Sequence, residues 1–214
     1  VISMLGGEEV SRAKRKLDEH DTFVRFNESI EIINKIKSKK EETIDKKISS
    51  RNPFNFRTNF TDFKTKEFKD SVKIYANKKV GYVAKSKITV NKDWINKYKV
   101  LLSSAYGAGS GYPHQITNKP FIAEKNSCCT ETYTVMDVFD DLNKAKNFES
   151  YMKTRFFRFL VSLKKNTQHN SKTTFTFVPN LDMSQEWTDE KLYKRYGIIE
   201  EEQNFIKSIV KEMA

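Results

Sequence analysis

Only two cysteines occur in the 214 residues, and Cys128 and Cys129 are adjacent. Without a second pair there is no disulfide framework, and two thiols do not complete a structural zinc site. They read as ordinary buried thiols. No run of about 18 apolar residues occurs, and no basic segment followed by an apolar one opens the chain. Neither membrane insertion nor secretion is signalled, and a cytoplasmic location with no membrane partner is expected. The histidines are equally few. His20, His114 and His169 stand in no His-Glu-x-x-His pattern, beside no serine elbow and in no Cys-His signature. Hydrolase and metalloprotease chemistry therefore lack residues to carry them, and each histidine reads as structural or superficial.

Glycine is sparse too, yet three of the seven fall in the stretch 101–115, "LLSSAYGAGSGYPHQ". A nucleotide-binding glycine loop needs a strand before it and a helix after it, because the helix N-terminus receives the negative charge. Gly107, Gly109 and Gly111 follow an apolar run, but Pro113 and Pro120 come next with no helical period. A cofactor cradle is thereby disfavoured. Two readings stay open. The loop either lets the backbone approach DNA and presents Tyr106, Tyr112, His114 and Gln115 to it, or it is a glycine-rich turn with core tyrosines.

What the chain has in excess is positive charge, 39 basic against 28 acidic side chains. The excess is uneven. Residues 51–99 carry 13 basic and 4 acidic side chains, a net of +9, and residues 150–181 carry 6 and none. Concentrated positive charge is the footprint of a phosphate-backbone binder. A lysine-rich surface also arises from an AT-rich genome, so charge bears on partners and not on fold.

The pattern along the chain predicts an α+β fold with two parts. From 10 to 48, Ile30, Ile33, Ile36 and Ile44 recur among mixed charges without proline or glycine, which predicts an amphipathic helix and a helical connector over 1–48. A β-rich unit with packed helices is expected over 49–214. "RNPFNFRTNF" ends the helix and pins a loop to a core through its phenylalanines. "VKIYANKKVGYVA" predicts a hairpin turning at 77–79, and "KVLLSSAY" and "TETYTVMDVF" predict further strands. From 140 a single stripe of Leu142, Ala145, Phe148, Met152, Phe156, Phe159, Leu160 and Leu163 predicts one helix capped by Asp140 or Asp141. "TTFTFVP" reads as a strand. "TDEKLYKRYG" reads as a short helix closed by Gly197, and "IEEEQNFIKSIVKEM" as a last helix with acids in its first turn.

A metal-dependent nuclease wants an acid followed by acid-x-Lys, and Asp62 with Glu67-Phe68-Lys69 matches in letters. Such triplets are frequent in a charge-rich chain and no clear strand carries this one, so a solvated lysine-rich face is the better reading. No residue is singled out as catalytic, cofactor-binding or metal-ligating.

An ordered series of segments carries a family likeness. "SSRNPFNFRTNF", "VKIYANKKVGYV", "YKVLLSSAYGAG" with "PHQI", "KPFIAEKNSCCTETYTVM", "YMKTRFFRFLVSLKKNTQ" and "FVPNLDMSQEWTDEKLYKRYGI" together resemble the C-terminal region of adenine-specific type II restriction-modification methylases, including those fused to an endonuclease. The resemblance covers about three quarters of the chain. It implies a target-recognition part that holds duplex DNA for an upstream methyltransferase domain of the same polypeptide. Two departures matter. Asn52-Pro53-Phe54 is not the Asn-Pro-Pro-Tyr-type catalytic tetrapeptide, and the Phe-x-Gly-x-Gly cofactor motif is absent. The implied fragment carries no cofactor and no catalysis of its own, with S-adenosylmethionine expected in the parent chain, and the start at Val1 fits an excised piece. An endonuclease subunit and a protein-interaction module seamed by Ile30, Ile33 and Ile36 are the alternatives.

For such a module, phosphate contacts are expected from Arg51 and from Lys153, Arg155, Arg158, Lys164 and Lys165, on or just past a helix whose apolar stripe faces the core. Base reading is expected from Asn55 and Arg57 in the first loop and from His114 and Gln115 in the glycine loop, where Tyr106 is a further expected DNA contact.

Overall fold

The structure is a computed structural model that describes residues 1–107 and 111–213. Its centre is the strand β5 (Tyr98–Ser103), flanked antiparallel by β6 (Phe121–Ala123) and β8 (Tyr133–Phe139). Side chains alternate across a strand, so β5 serves two cores. Val100 and Leu102 face the larger core with the helices; Leu101 faces a smaller one with Val135 of β8. A second sheet closes that smaller core. In it β3 (Ser71–Ala76) lies between β4 (Lys79–Ala84), antiparallel, and β7 (Ser127–Cys129), parallel. The fold is α+β in three layers: helices, the β6-β5-β8 sheet, and the β4-β3-β7 sheet.

The expected hairpin forms with Asn77 and Lys78 at its turn, and Lys78 takes a positive φ of 56°. Phe54 and Phe56 are buried in the smaller core and Phe60 packs against them, so the 51–60 loop is pinned as its phenylalanines predict. Cys128 and Cys129 are both fully buried there, and burial pushes the Cys128 thiol up to about 12. Lys99 shares this core at 0% exposure, and its Nζ donates to the carbonyl oxygens of Trp94, Ile95, Lys97 and Glu124 at 2.6–3.3 Å.

Three expectations fail. Residues 1–48 are not one long helix. A hairpin of β1 (Ile2–Leu5) and β2 (Glu8–Arg12) turns at Gly6 and Gly7, both at positive φ, as a two-residue hairpin loop requires. Only α1 (Glu28–Ser38) is helical before a short turn at Ile44–Lys46. Val24, Phe26, Ile32, Ile33, Ile36, Ile44 and Ile48 belong to the same core as the C-terminal helices, so this segment is built into the larger core and is not a free-standing connector.

The stripe from 142 to 163 is divided into α2 (Leu142–Lys153) and α3 (Arg155–Lys164). Thr154 is extended at ψ 150° and caps α3, its Oγ1 accepting from Phe157 N at 3.1 Å. The amides of Arg155 and Phe156 donate to the Asp189 carboxylate at 3.0 and 2.8 Å. A sequence-distant acid thus satisfies the new helix start. Leu142, the first residue of α2, is 37% exposed and stands outside the buried stripe, while Asp141 caps α2 as expected. "TTFTFVP" is no strand either, since a tight helical turn at Lys172–Phe175 inserts Phe175 into the core. At the C-terminus α4 (Asp189–Tyr196) ends on Gly197 at φ 63°, and Glu202 in the first turn of α5 (Glu200–Ile209) accepts from Ile199 N at 2.9 Å. Among the described residues, no helix is long and apolar enough to cross a membrane.

Candidate nucleic-acid interface

Four segments meet where β5 ends and β8 begins. Ser49 is fastened to Val135 by two hydrogen bonds, from its amide at 2.8 Å and to its Oγ at 3.0 Å. The 51–58 loop is held by Glu131, whose amide donates to Phe56 O at 2.8 Å and whose carboxylate accepts from Thr58 N at 3.2 Å. Ser104 N donates to Thr132 O, and Asn170 N donates to Ser104 O, both at 2.9 Å. Tyr106 N then donates to Gln168 O at 2.7 Å. The loops around Arg57 and around Tyr106, far apart in sequence, therefore sit at one end of the same sheet.

Between them runs a groove lined by polar and charged residues. One part, about 580 Å3, is lined by Ser49, Ser50, Arg51, Ser104, Thr134 and the segment from His169 to Lys172. A shallower part is lined by Arg57, Asn59 and Asn77 from the β3–β4 turn, and the two parts share Thr58 and Glu131. Arg51 is 85% exposed with its Nε 3.7 Å from Glu131, so its guanidinium is free to exchange that loose pairing for another anion. Asn55 is exposed at a positive φ of 62° and Arg57 is exposed beside the groove. Glu131, Asn77, His169, Asn170 and Lys172 line the groove without having been singled out. No short-range signal marks them, because they reach it from three different loops.

The second basic block departs from expectation. Arg158 is a correction. It is 0% exposed, and its guanidinium donates to the carbonyl oxygens of Lys153, Thr154, Gln115 and Lys211 at 2.7–3.2 Å. It ties the α2–α3 junction to the end of the glycine loop and to the C-terminal segment, and burial lowers its pKa to about 10. Lys164 is also corrected: its side chain is 7% exposed and its Nζ is held by Asp21 at 2.5 Å and Thr176 at 2.6 Å. Lys165 donates to Ile116 O and Asn170 Oδ1, and burial lowers it to about 8. Lys153 pairs with Glu149 at 2.7 Å and Arg155 with Glu212 at 3.1 Å. A block without acids in sequence finds its acids and carbonyls in space.

The first block behaves differently. Arg57, Lys64, Lys66, Lys69, Lys78, Lys79, Lys85 and Lys92 are exposed, and none has a carboxylate within salt-bridge distance among the described residues. Lys64 continues the second sheet, its N and O bonding Tyr82 at the open edge of β4. Asp62 is taken by Lys87, so the Asp62 and Glu67-x-Lys69 letters form no cluster. Among the described residues, no three His, Cys, Asp or Glu side chains are placed to hold a metal ion.

In the glycine loop, Gly109 lies outside the described residues. Tyr106, His114 and Gln115 are half-buried. Gln115 Nε2 donates to Thr117 O at 3.0 Å, which engages the amide locally. No family model matches the chain, and neither a curated protein nor a solved structure matches it.

Proposed function

We propose that this chain is a duplex-DNA-binding fragment, the target-recognition part of a restriction-modification adenine methyltransferase, acting in the cytoplasm. The observation that carries the reading is the contrast between the two basic blocks. The cations of 150–181 are engaged internally except Lys172, whereas those of 51–99 stand largely unpaired around the second sheet and beside the groove. Unpaired exposed cations release counterions from a phosphate backbone, and the Arg, Asn, His and Ser side chains of the groove suit base edges. The ordered resemblance from Ser49 onward supports the methylase context. Register would come from Arg57, Lys78, Lys79 and Lys172, and reading from Arg51, Asn55 and Asn77. Methyl transfer, with its S-adenosylmethionine, is assigned to another part of the parent polypeptide.

The test is a titration of a labelled duplex at several salt concentrations. With about six phosphates neutralised, log affinity falls against log salt with a slope of about −5. A flat response, or no binding at low salt, overturns the proposal. Methylation or cleavage by the pure chain overturns its assignment as a non-catalytic part.

A further inference from the structure

Ser104 and His169 line the groove, but their neighbours Tyr106 and Gln168 line a second cleft of about 330 Å3, within the range of small-ligand sites. Its walls are aromatic. Tyr112 and His114 have ring centroids 5.1 Å apart, and Phe26 braces Tyr112 edge-on at 6.1 Å. Lys165 sets its ammonium over the face of Tyr106, 5.5 Å from the ring centroid. Two of its donors are engaged by Ile116 O at 3.0 Å and Asn170 Oδ1 at 2.9 Å, which leaves a third N–H.

His114 is fixed in one tautomer. Ile116 N donates to its Nδ1 at 3.2 Å, so Nδ1 is unprotonated and the ring proton sits on Nε2 as a donor. Burial, and then the charge of Lys165, hold His114 below the ordinary histidine range, in keeping with that neutral form. Arg25 is exposed at the rim, and no carboxylate lines the cleft among the described residues.

The site therefore offers stacking faces, hydrogen-bond donors and positive charge, with no acid. A bare inorganic anion would leave the aromatic walls unused. An apolar ligand would leave the donors unpaired, and an amine would meet two cations. A planar heteroaromatic ring with acceptor atoms and an attached phosphate meets all three features. We infer that this cleft binds a single unstacked nucleotide, its base against Tyr106, Tyr112 and His114 and its phosphate on Lys165 and Arg25. If the nucleotide is a residue of DNA, the inference rests on the function proposed above; a free mononucleotide presents the same chemistry.

The experiment compares three probes on the intact chain: a fully paired duplex, the same duplex with one unpaired adenine, and adenosine monophosphate. Binding to the duplexes is read by anisotropy and the mononucleotide by the imidazole 15N resonances of His114. The unpaired base is expected to tighten binding about five- to a hundred-fold over the paired duplex. Arg25→Gln and Tyr112→Leu, each checked for an unchanged unfolding midpoint, are expected to lose that gain. A His114 shift with the mononucleotide but no gain from the unpaired base assigns the cleft to free nucleotide. Mononucleotide binding without salt-sensitive duplex binding overturns the DNA reading and leaves the cleft standing. Equal affinity for both duplexes with an unmoved His114 overturns the cleft alone, as does the same His114 shift with inorganic phosphate.

Discussion

The side chain of Asn170 accepts from the Lys165 ammonium at 2.9 Å while its own Nδ2 donates to Ser103 O at 2.9 Å. One buried amide thus joins the end of α3 to the end of β5; it lines the groove itself, and the Lys165 that it holds lines the aromatic cleft. Asn170→Ala is expected to lower stability by about 1–3 kcal/mol, because it removes one of the two acceptors of the Lys165 ammonium and the amide donor to Ser103 O. Urea unfolding checks the loss. The His114 resonances should broaden in the same variant, since Lys165 would be held above Tyr106 by Ile116 O alone.

Arg158→Met should cost at least about 3 kcal/mol, because four buried carbonyl acceptors lose a charged donor inside the protein. The same substitution should leave the salt slope of DNA binding unchanged wherever the variant remains folded. A phosphate-contacting arginine would behave in the opposite way, with a reduced slope and near-native stability. Thermal unfolding and a salt titration on one preparation separate the two roles.

Gln at Lys78 and Lys79 together, through Lys78→Gln and Lys79→Gln, should weaken binding to every duplex about equally and reduce the salt slope by about 0.9 for each phosphate no longer neutralised. Lys164→Gln should instead disturb the pairing with Asp21 and change stability with no change in slope. Anisotropy titrations of the two variants against wild type give the comparison.

Gly81 lies where Phe63 and Lys64 cross the edge of β4, and a Cβ there would meet the Phe63 ring and stand 2.7 Å from Lys64 O. Backbone cannot yield as a flexible side chain can. Gly81→Ala is expected to cost about 1–3 kcal/mol and to detach the Phe63–Lys64 edge, seen as faster hydrogen exchange at Lys64 and Tyr82.

Stability should rise with pH just above 8. Burial lowers both Lys99 and Lys165 from 10.5 to about 8, so between those values the unfolded chain binds more protons than the native one. Raising the pH from about 8 therefore favours the native state, an effect opposed from about 8.5 upward by Cys128 and Cys129, whose thiols burial keeps protonated in the native state while they ionise in the unfolded chain, and near 10 by tyrosine ionisation. Below 8 both amines are charged in both states and the penalty is constant. Denaturant midpoints taken from pH 7 to about 8.5 should increase, and the increase should shrink in Lys165→Met.

Local chemistry was legible without the structure. Asn77 and Lys78 turn the hairpin, Asp141 starts α2, Gly197 stops α4, and the phenylalanines of the 51–60 loop enter a core, because each depends on neighbours a few residues away. The pairing of 104–106 with 168–170, the parallel docking of β7 on β3 and the break at Thr154 depend on distant partners such as Asp189. Charge shows the same division. Composition alone marks two basic blocks, but a long cationic side chain lies on the surface or in the interior according to which carbonyls and carboxylates the fold brings within reach. Arg158 meets the carbonyl oxygens of 115, 153, 154 and 211, Lys164 meets Asp21 from the far end of the chain, and Lys78 and Lys79, at a hairpin turn, meet no acid among the described residues. The sequence by itself determined that positive charge would be abundant and clustered; tertiary structure decided which cluster remained free, because only folding sets the distance from each cation to its nearest acceptor.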